Sequence, residues 1–233
     1  MGGALVRALL AEGHEVVGVK RPLRLRSVQA FSPQPALQHP NLTWATADVT
    51  DPASLHGLFA GSGWLIHAAG MLGQAGVPER AYFALHEQGT NNVLAQAEKA
   101  GVGRILYVSS PGVLGPIEGP PAGENAPLAP SNPYERSKAA AEQVAKVYAA
   151  AGLPVIIARP EFIYGPTDLH VLGLFRAVRD GRFFTINGGQ NTCHPTFIDD
   201  AVAGMLLALH NGRPGQIYHL TGPEPVTFGE LGQ

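Results

Sequence analysis

With 233 residues, of which 45% are hydrophobic and 15% charged, the chain can bury a sizeable core and lacks the composition of a disordered protein. Its formal net charge of −2 excludes the basic excess of nucleic-acid-binding proteins, and its single cysteine excludes an intrachain disulfide. No apolar run is long enough to span a bilayer, so we expect a cytoplasmic protein without nucleic-acid or membrane partners.

Short apolar segments alternate with amphipathic segments along the chain. The first residues, MGGALVRALLAEG, place leucines at helical spacing and end at Gly13, and VVGV at 16–19 predicts a strand buried on both faces. Further strands are predicted at 42–47, 64–66, 105–108 and 155–158, and further helices begin at Asp51, Glu79 and Ser131. This order predicts an α/β fold with a doubly wound parallel sheet.

The stretch SNPYERSK places Tyr134 and Lys138 four residues apart, on one face of a predicted helix. An ammonium group beside a phenol favours the phenolate, so it lowers a tyrosine pKa from about 10 toward working pH. Such a tyrosine can exchange a proton with a carbinol oxygen while a hydride moves. Chance can also produce this spacing, but its place after a loop rich in proline and glycine strengthens the functional interpretation.

Two serines, Ser109 and Ser110, end the predicted strand RILYV. A hydroxyl at this place can hydrogen-bond a substrate oxygen and hold it near the tyrosine. Serines at strand ends are also common turn formers. Because Tyr134 and Lys138 follow downstream, we favour a functional serine.

Cys193 and His194 are neighbours in the sequence, which raises the question of a metal site. No further cysteine or histidine accompanies them at the spacing of a metal motif. We therefore interpret them as part of a loop and predict no metal.

Six stretches in order resemble the extended short-chain dehydrogenase/reductases, the NAD-dependent epimerase/dehydratase group: DVTD, HAAG, GTNNVLAQAEKAGVGRILYVSS, ENAPLAPSNPYERSK, ARPEFIYGP and HPTFIDDAVAG. Each stretch alone is weak evidence for the family, but the six in this order are specific to it and cover nearly the whole chain. The resemblance implies a Rossmann-like dinucleotide-binding domain over residues 1–165. It also implies a small substrate-binding region over residues 166–233, interleaved with the sheet.

The resemblance also implies roles for the polar residues. Tyr134 is the acid/base, Lys138 holds the nicotinamide ribose and lowers the tyrosine pKa, and Ser110 orients the substrate oxygen. Ser110 is chosen over Ser109 by counting back from VLG, where the family usually has VYG. His86 stands where many members have asparagine in N-V-x-G-T, which argues against a proton relay there and favours a helix-surface or supporting residue.

The first residues correspond to an incomplete glycine motif. The family begins with a strand and G-x-x-G-x-x-G, in which Gly2 would be the last glycine and would contact the cofactor. The first strand and the front of this turn, which normally cradle the pyrophosphate, are missing from the pattern. We therefore interpret Met1 as an internal methionine, and EPVTFGELGQ as the start of a helix that the family continues.

Cations follow the predicted strand at 16–19, where NAD-preferring members carry an acidic residue for the ribose 2′-hydroxyl. Lys20 and Arg21, with Arg24 and Arg26 beyond, suit a 2′-phosphate. We predict NADP as the preferred cofactor and NAD as the alternative, although a solvated basic loop explains the same residues.

Further cofactor contacts are implied by the resemblance at Asp48, Val49, His67, Ala68, Ala69, Lys138 and Pro160. Simpler structural roles stay open for three of them. Asp48 can be a turn cap, His67 a packed histidine at a strand end, and Pro160 a strand terminator.

These features predict an NAD(P)-dependent epimerase or dehydrogenase/reductase. Its small-molecule substrate reacts at a carbinol or carbonyl carbon and is a nucleotide sugar or a hydroxysteroid-like compound. Dehydratases of the group usually carry an acidic pair shortly after the active serine. Here no carboxylate follows Ser110 until Glu118, so we favour the other activities over a dehydratase. The alternatives are a non-catalytic redox sensor that binds NAD(P) and a truncated chain that no longer binds it.

The alanine-rich helix after Tyr134 can form a homodimer or pack within the chain.

Overall fold

A computed structural model describes residues 1–22, 37–166, 168–185 and 187–232. The strands are β1 (Val16–Lys20), β2 (Leu42–Thr46), β3 (Trp64–His67), β4 (Arg104–Val108), β5 (Val155–Pro160), β6 (Ile163–Tyr164), β7 (Thr192–Cys193), β8 (Thr196–Phe197), β9 (Ile217–Leu220) and β10 (Val226–Thr227). The α-helices are α1 (Gly2–Ala11), α2 (Glu79–Phe83), α3 (Gly89–Ala100), α4 (Pro133–Ala150), α5 (Leu169–Arg179), α6 (Ile198–Asn211) and α7 (Phe228–Leu231).

The central sheet has four parallel strands in the order β3-β4-β5-β9, and β1 and β2 form a separate parallel pair. Strands β4 and β5 are enclosed on both faces, as their nearly continuous apolar residues predict. One face packs on α3 and α4, and the other on α1 and α6. The predicted Rossmann-like, doubly wound parallel architecture is therefore confirmed.

Strand β1 differs from its prediction of burial on both faces. Val17 and Val19 are 50% and 46% exposed. Within the described residues β1 has a strand partner on one side only, because neither β1 nor β2 hydrogen-bonds to the central sheet. Gly18 is buried instead, and a Cβ there would lie 2.5 Å from the Trp44 ring on β2.

Local capping explains where the helix that carries the tyrosine begins. The predicted cap was Ser131, but the Asn132 side chain accepts the hydrogen bond of the Glu135 amide at 3.0 Å, and Pro133 takes the first helical position. Ser131 contributes differently, because its amide and hydroxyl both donate to the Glu135 carboxylate at 2.7 Å. Both residues that precede α4 therefore bond to Glu135 and fix the first turn of the helix.

The helix predicted to begin at Glu79 is present with an irregular centre. Helices α2 and α3 are joined by a π-helical turn over Ala84–Gln88. Single π turns inside α-helices are often found at functional sites. Among the described helices, none is long and apolar enough to cross a membrane.

Candidate active site

The predicted serine, tyrosine and lysine meet where β4 ends and α4 begins. Strand β4 ends at Val108, directly before Ser109 and Ser110, and Tyr134 lies in the first turn of α4. Lys138 follows one turn later on the same helix face and is buried. The structure therefore brings Ser110, Tyr134 and Lys138 to the carboxyl edge of the central sheet.

Lys138 is anchored by the strand in front of it. Its Nζ donates a 2.7 Å hydrogen bond to the carbonyl of Val108 and lies 5.0 Å from the centre of the Tyr107 ring. Burial lowers the pKa of Lys138 to about 8, partly opposed by the negative charge of Glu142. The side chain thus has a fixed place and remains largely cationic near neutral pH.

Tyr134 has an environment that the spacing did not predict. Burial raises its pKa, a hydrogen bond with the Ser110 side chain lowers it, and the nearby Glu135 and Tyr82 raise it further, with a net increase. The expected lowering of the tyrosine pKa by Lys138 is therefore wrong for this arrangement. The reasons are that desolvation outweighs the other effects and that the ammonium donates to a backbone carbonyl.

The two serines at the end of β4 point to different partners. Ser109 is buried and donates a 2.7 Å hydrogen bond to the Glu142 carboxylate. Ser110 accepts a hydrogen bond from the Gly112 amide at 3.3 Å, and its side chain lies close enough to the Tyr134 hydroxyl to lower the pKa of that group. Only the Ser110 hydroxyl is thus placed to share an oxygen ligand with the tyrosine.

His86 is not a helix-surface residue, because only 2% of it is exposed. Its Nε2 accepts a 3.1 Å hydrogen bond from the Met71 amide, so Nδ1 carries the proton and donates to Ser137 Oγ at 2.8 Å. Ser137 in turn donates to the Tyr134 carbonyl at 2.7 Å. His86 therefore connects the loop after β3 to the backbone of the tyrosine.

The loop after β3 lies directly on the tyrosine. A Cβ at Gly73 would lie 3.4 Å from the Tyr134 Cβ, an ordinary van der Waals distance, so the loop packs on the tyrosine. The hydroxyl of Tyr82 accepts from the Gln74 amide at 2.7 Å and donates to the Gln74 carbonyl at 3.1 Å. The residues that follow HAAG in the sequence are thus held as one wall of the site.

Acid should destabilise the protein partly through His86. Burial, followed by the positive charge of Lys138, lowers its pKa from about 6.5 to about 4, so the unfolded chain binds a proton that the folded chain does not between these values. We expect the His86 contribution to stability to fall by up to about 3 kcal/mol as pH drops through this window. Urea unfolding of wild type and His86→Gln at several pH values measures this, and the variant should show a flatter pH dependence.

The matched control for that experiment is His56→Gln, at an exposed position away from the site. It should retain the pH dependence of the wild type. If the unfolding free energy of His86→Gln depends on pH as steeply as that of the wild type, His86 does not cause the loss of stability in acid. His67, whose pKa is lowered to about 3 mainly by burial, would then be tested next.

The predicted cofactor residues are distributed over the carboxyl ends of several strands. Lys20 and Arg21 lie at the end of β1 and are exposed, with Lys20 Nζ 3.7 Å from the centre of the Trp44 ring. Arg24 and Arg26 lie outside the described residues. Gly2 is the first residue of α1 and is exposed.

The remaining predicted contacts follow β2, β3 and β5. Asp48 Oδ1 accepts from the Thr50 amide at 3.0 Å and hydroxyl at 2.7 Å, the geometry of a turn cap, and Val49 packs against Gly89. The His67 side chain is buried, with Nε2 3.0 Å from Thr90 Oγ1, so its imidazole is not open to a ligand. Ala68 is half-buried and Ala69 exposed after β3, and Pro160 is the buried last residue of β5.

A buried ionic network lies behind the site, and sequence reasoning missed it. Arg159, fully buried on β5, donates to both Glu142 carboxylate oxygens at 2.9 and 2.6 Å. Its Nη1 also donates to His219 Nε2 at 3.1 Å and to the Glu124 carbonyl at 3.1 Å. One feature of the sequence indicates this network. The strand VIIARP is otherwise apolar, so the arginine within it requires buried partners for its charge.

Two curated relatives resemble nearly the whole chain. The 2-alkyl-3-oxoalkanoate reductase of Stenotrophomonas maltophilia (strain K279a) is 30% identical over 242 residues, which cover 99% of this chain and 70% of the reductase. The 4-hydroxy-2-methyl-3-oxo-4-farnesyl-3,4-dihydroquinoline-1-oxide ketoreductase of Stigmatella aurantiaca is 33% identical over 237 residues, with 97% and 66% covered. The chain thus spans 66–70% of the length of these two relatives.

A solved structure shares the fold. DesIV, a dTDP-glucose 4,6-dehydratase from Streptomyces venezuelae solved with NAD and TYD bound, has a TM-score of 0.84 and 30% identity over 99% of this chain and 76% of that chain. The family model of the NAD dependent epimerase/dehydratase family matches residues 1–221. This match confirms the resemblance predicted from the six stretches and the prediction of an NAD-dependent enzyme. The chain belongs to the NAD dependent epimerase/dehydratase family.

Proposed function

We propose that this chain carries out NAD(P)-dependent reduction or oxidation at a carbonyl or carbinol carbon of a small molecule, with Tyr134 as the acid/base. The observation that carries the proposal is the placement of Ser110, directly after β4, and Tyr134, in the first turn of α4, beside the buried Lys138. A substrate oxygen that binds both hydroxyls is held at the group that exchanges its proton.

The protonated tyrosine fits the reducing half of the reaction. Because burial raises the Tyr134 pKa, the phenol keeps its proton near neutral pH and is ready to donate it to a carbonyl oxygen. The two relatives named as reductases favour a ketone reductase over an epimerase. The nucleotide sugar and the hydroxysteroid-like compound remain the two candidate substrate classes.

The residues present fit a dinucleotide. Helix α1 begins without a side-chain cap and with Gly2 and Gly3, whose amides lie at its positive end, where a phosphate is favoured. Small side chains follow β3 at Ala68 and Ala69, and Lys138 offers an ammonium group for ribose hydroxyls. When bound, the nicotinamide supplies or accepts the hydride, and these residues bind and orient the cofactor around it.

The experiment that tests the proposal is a panel of ketones, alcohols and nucleotide sugars monitored by the nicotinamide absorbance. Turnover of ketones with NADPH or NADH supports the reductase. Interconversion of nucleotide sugars without net change in absorbance supports the epimerase instead. Tight cofactor binding with no turnover of any member supports the non-catalytic sensor and contradicts the proposed activity.

The NADP preference rests on Lys20, which lies exposed at the end of β1. Removal of one charge-assisted hydrogen bond to a 2′-phosphate costs about 1.5–3 kcal/mol. We expect Lys20→Ala to weaken NADPH binding by about tenfold or more and NADH binding by less than about twofold. Fluorescence titration of both cofactors measures this, with the exposed Lys99→Ala as the control. Equal losses for both cofactors would contradict a 2′-phosphate contact.

We also propose which part of the chain binds the cofactor and which part binds the substrate. Strand β9 pairs with β5, and α6 packs behind β4 and β5, which supports a later region that is interleaved with the sheet. The dinucleotide would bind to residues 1–165, and the substrate would contact residues 166–233. A homodimer through α4, which carries the exposed Val147, is also proposed.

A further inference from the structure

A cluster of two histidines and a glutamate lies at the opposite edge of the sheet from the active site. Glu12 follows the last residue of α1, His14 lies two residues later, and His210 lies in the last turn of α6. One nitrogen of each imidazole and one carboxylate oxygen lie within 4.8 Å of one another. These three side chains are brought together from positions up to 198 residues apart.

We propose that Glu12, His14 and His210 form a binding site for a divalent transition-metal ion, with Zn²⁺ as the best-suited ion. Two imidazoles and one carboxylate are a donor set that zinc takes in proteins, with a fourth position left for water. The site is separate from the redox chemistry, because Tyr134 lies beyond the carboxyl end of β4 whereas this cluster lies at the amino end of β3.

The distances between the donor atoms match the ion. Nε2 of His14 and Nε2 of His210 lie 3.2 and 3.1 Å from the same oxygen of Glu12, Oε2. Tetrahedral zinc with bonds of about 2.1 Å holds neighbouring donor atoms about 3.4 Å apart. These two distances therefore need to grow by only a few tenths of an ångström to admit the ion, and the two imidazole nitrogens lie within 4.8 Å of each other.

The surrounding backbone favours a cation. Helices α1 and α6 pack against each other, and the cluster lies at the carboxyl ends of both, where the helix dipoles are negative. The His14 amide donates to the Leu9 carbonyl at 3.1 Å, which fixes the turn that carries the imidazole. The site thus combines one formal negative charge with the negative end of α1, whereas the Arg104 side chain donates to the Leu209 and Gly212 carbonyls at the end of α6.

Trp64, at the start of β3, orients both imidazoles. Its ring packs edge-on against His14 and His210 at centroid distances of 4.8 and 5.0 Å. This packing forms an apolar wall beside the donors, and on another side a groove of about 550 Å³ between α1 and α6 reaches Glu12 and His210. The imidazoles are 35% exposed and the carboxylate 39%, so an ion can enter from solvent.

A metal here would join two distant parts of the chain. It would tie the turn between α1 and β1 to the end of α6, in the manner of a structural ion that stabilises the folded state. The sequence alone predicts no metal, because the histidines lack the short spacing of a metal motif.

The test uses the full 233-residue chain without a histidine tag, freed of metal by a chelator and then dialysed. Calorimetric titration with Zn²⁺ should give one ion per chain, and the melting temperature should rise with Zn²⁺. Cu²⁺ should quench Trp64 fluorescence, measured in a Trp44→Phe background that leaves Trp64 as the only indole. Loss of one ligand, in His14→Gln or His210→Gln, should weaken binding by at least about 10–100-fold, the range that loss of a supporting partner alone causes.

The controls separate binding at this cluster from weak surface binding. His56→Gln removes an exposed histidine elsewhere and should bind Zn²⁺ like the wild type. Glu12→Gln keeps the side-chain volume and a hydrogen-bond acceptor and should still lose affinity, and circular dichroism checks that each variant is folded. Zn²⁺ binding that is equally tight in His210→Gln, or no binding at millimolar Zn²⁺, would show that the cluster is held by hydrogen bonds alone and would overturn the proposal.

Discussion

Replacing Tyr134 by phenylalanine is expected to lower kcat by about 10²–10⁴-fold, the usual contribution of a positioned acid or base. The change removes the phenol oxygen but keeps the ring, which lies 5.7 Å from the His86 ring and 6.2 Å from the Tyr82 ring. The walls of the site should therefore keep their positions. Cofactor binding, measured by NADPH and NADH fluorescence, should change by less than about twofold.

The matched control is Tyr148→Phe on the same helix. Tyr148 donates a 3.3 Å hydrogen bond to Asn91, away from the site, so its loss should leave turnover unchanged. Steady-state rates of both variants and the wild type on a responsive ketone distinguish the roles. A Tyr134→Phe protein with full activity would remove the tyrosine from the mechanism.

Replacing Arg159 by methionine is expected to destabilise the folded chain by about 3–5 kcal/mol, because it leaves the carboxylate of Glu142 buried without its main partner. Burial raises the pKa of Glu142, but hydrogen bonds from Arg159, Lys146 and Ser109 outweigh this and keep the pKa low. Lys146, at 2.8 Å, and Ser109 would remain, so we expect the lower part of the range. Denaturant unfolding measures the loss.

Two further variants make the Arg159 result interpretable. Arg136→Met removes an exposed ion pair with Glu79, of similar length at 2.9 Å, and should cost less than about 1 kcal/mol. Arg159→Met with Glu142→Gln removes the buried charge as well and should recover part of the lost stability. A single Arg159→Met variant as stable as the wild type would show that the network does not stabilise the fold.

The sequence predicted those parts of the site that depend on local spacing. Tyr134 and Lys138 share a face because they lie one helical turn apart, and Ser110 lies at the sheet edge because it directly follows a buried strand. The parallel sheet was also predictable, since apolar strands alternate with amphipathic helices. In each of these cases the distance along the chain determines the distance in space.

Contacts between distant segments were not predictable in this way. His86 reaches Ser137 across 51 positions, and only the packing of the π-helical turn on α4 shows that it lies in the interior and not on the helix surface. The direction of the Tyr134 pKa was predicted wrongly for the same reason. Helical spacing accounts for the nearby ammonium, but only the packed structure shows that the phenol is desolvated.

By itself the sequence determined the fold class and the family, and it predicted a serine, a tyrosine and a lysine for the site, because short-range periodicity and motif order carry that information. The tertiary structure decided which serine faces the tyrosine, which charges are buried around Arg159 and which residues meet at Glu12. Those outcomes depend on desolvation and on contacts between segments that the chain brings together only when it folds.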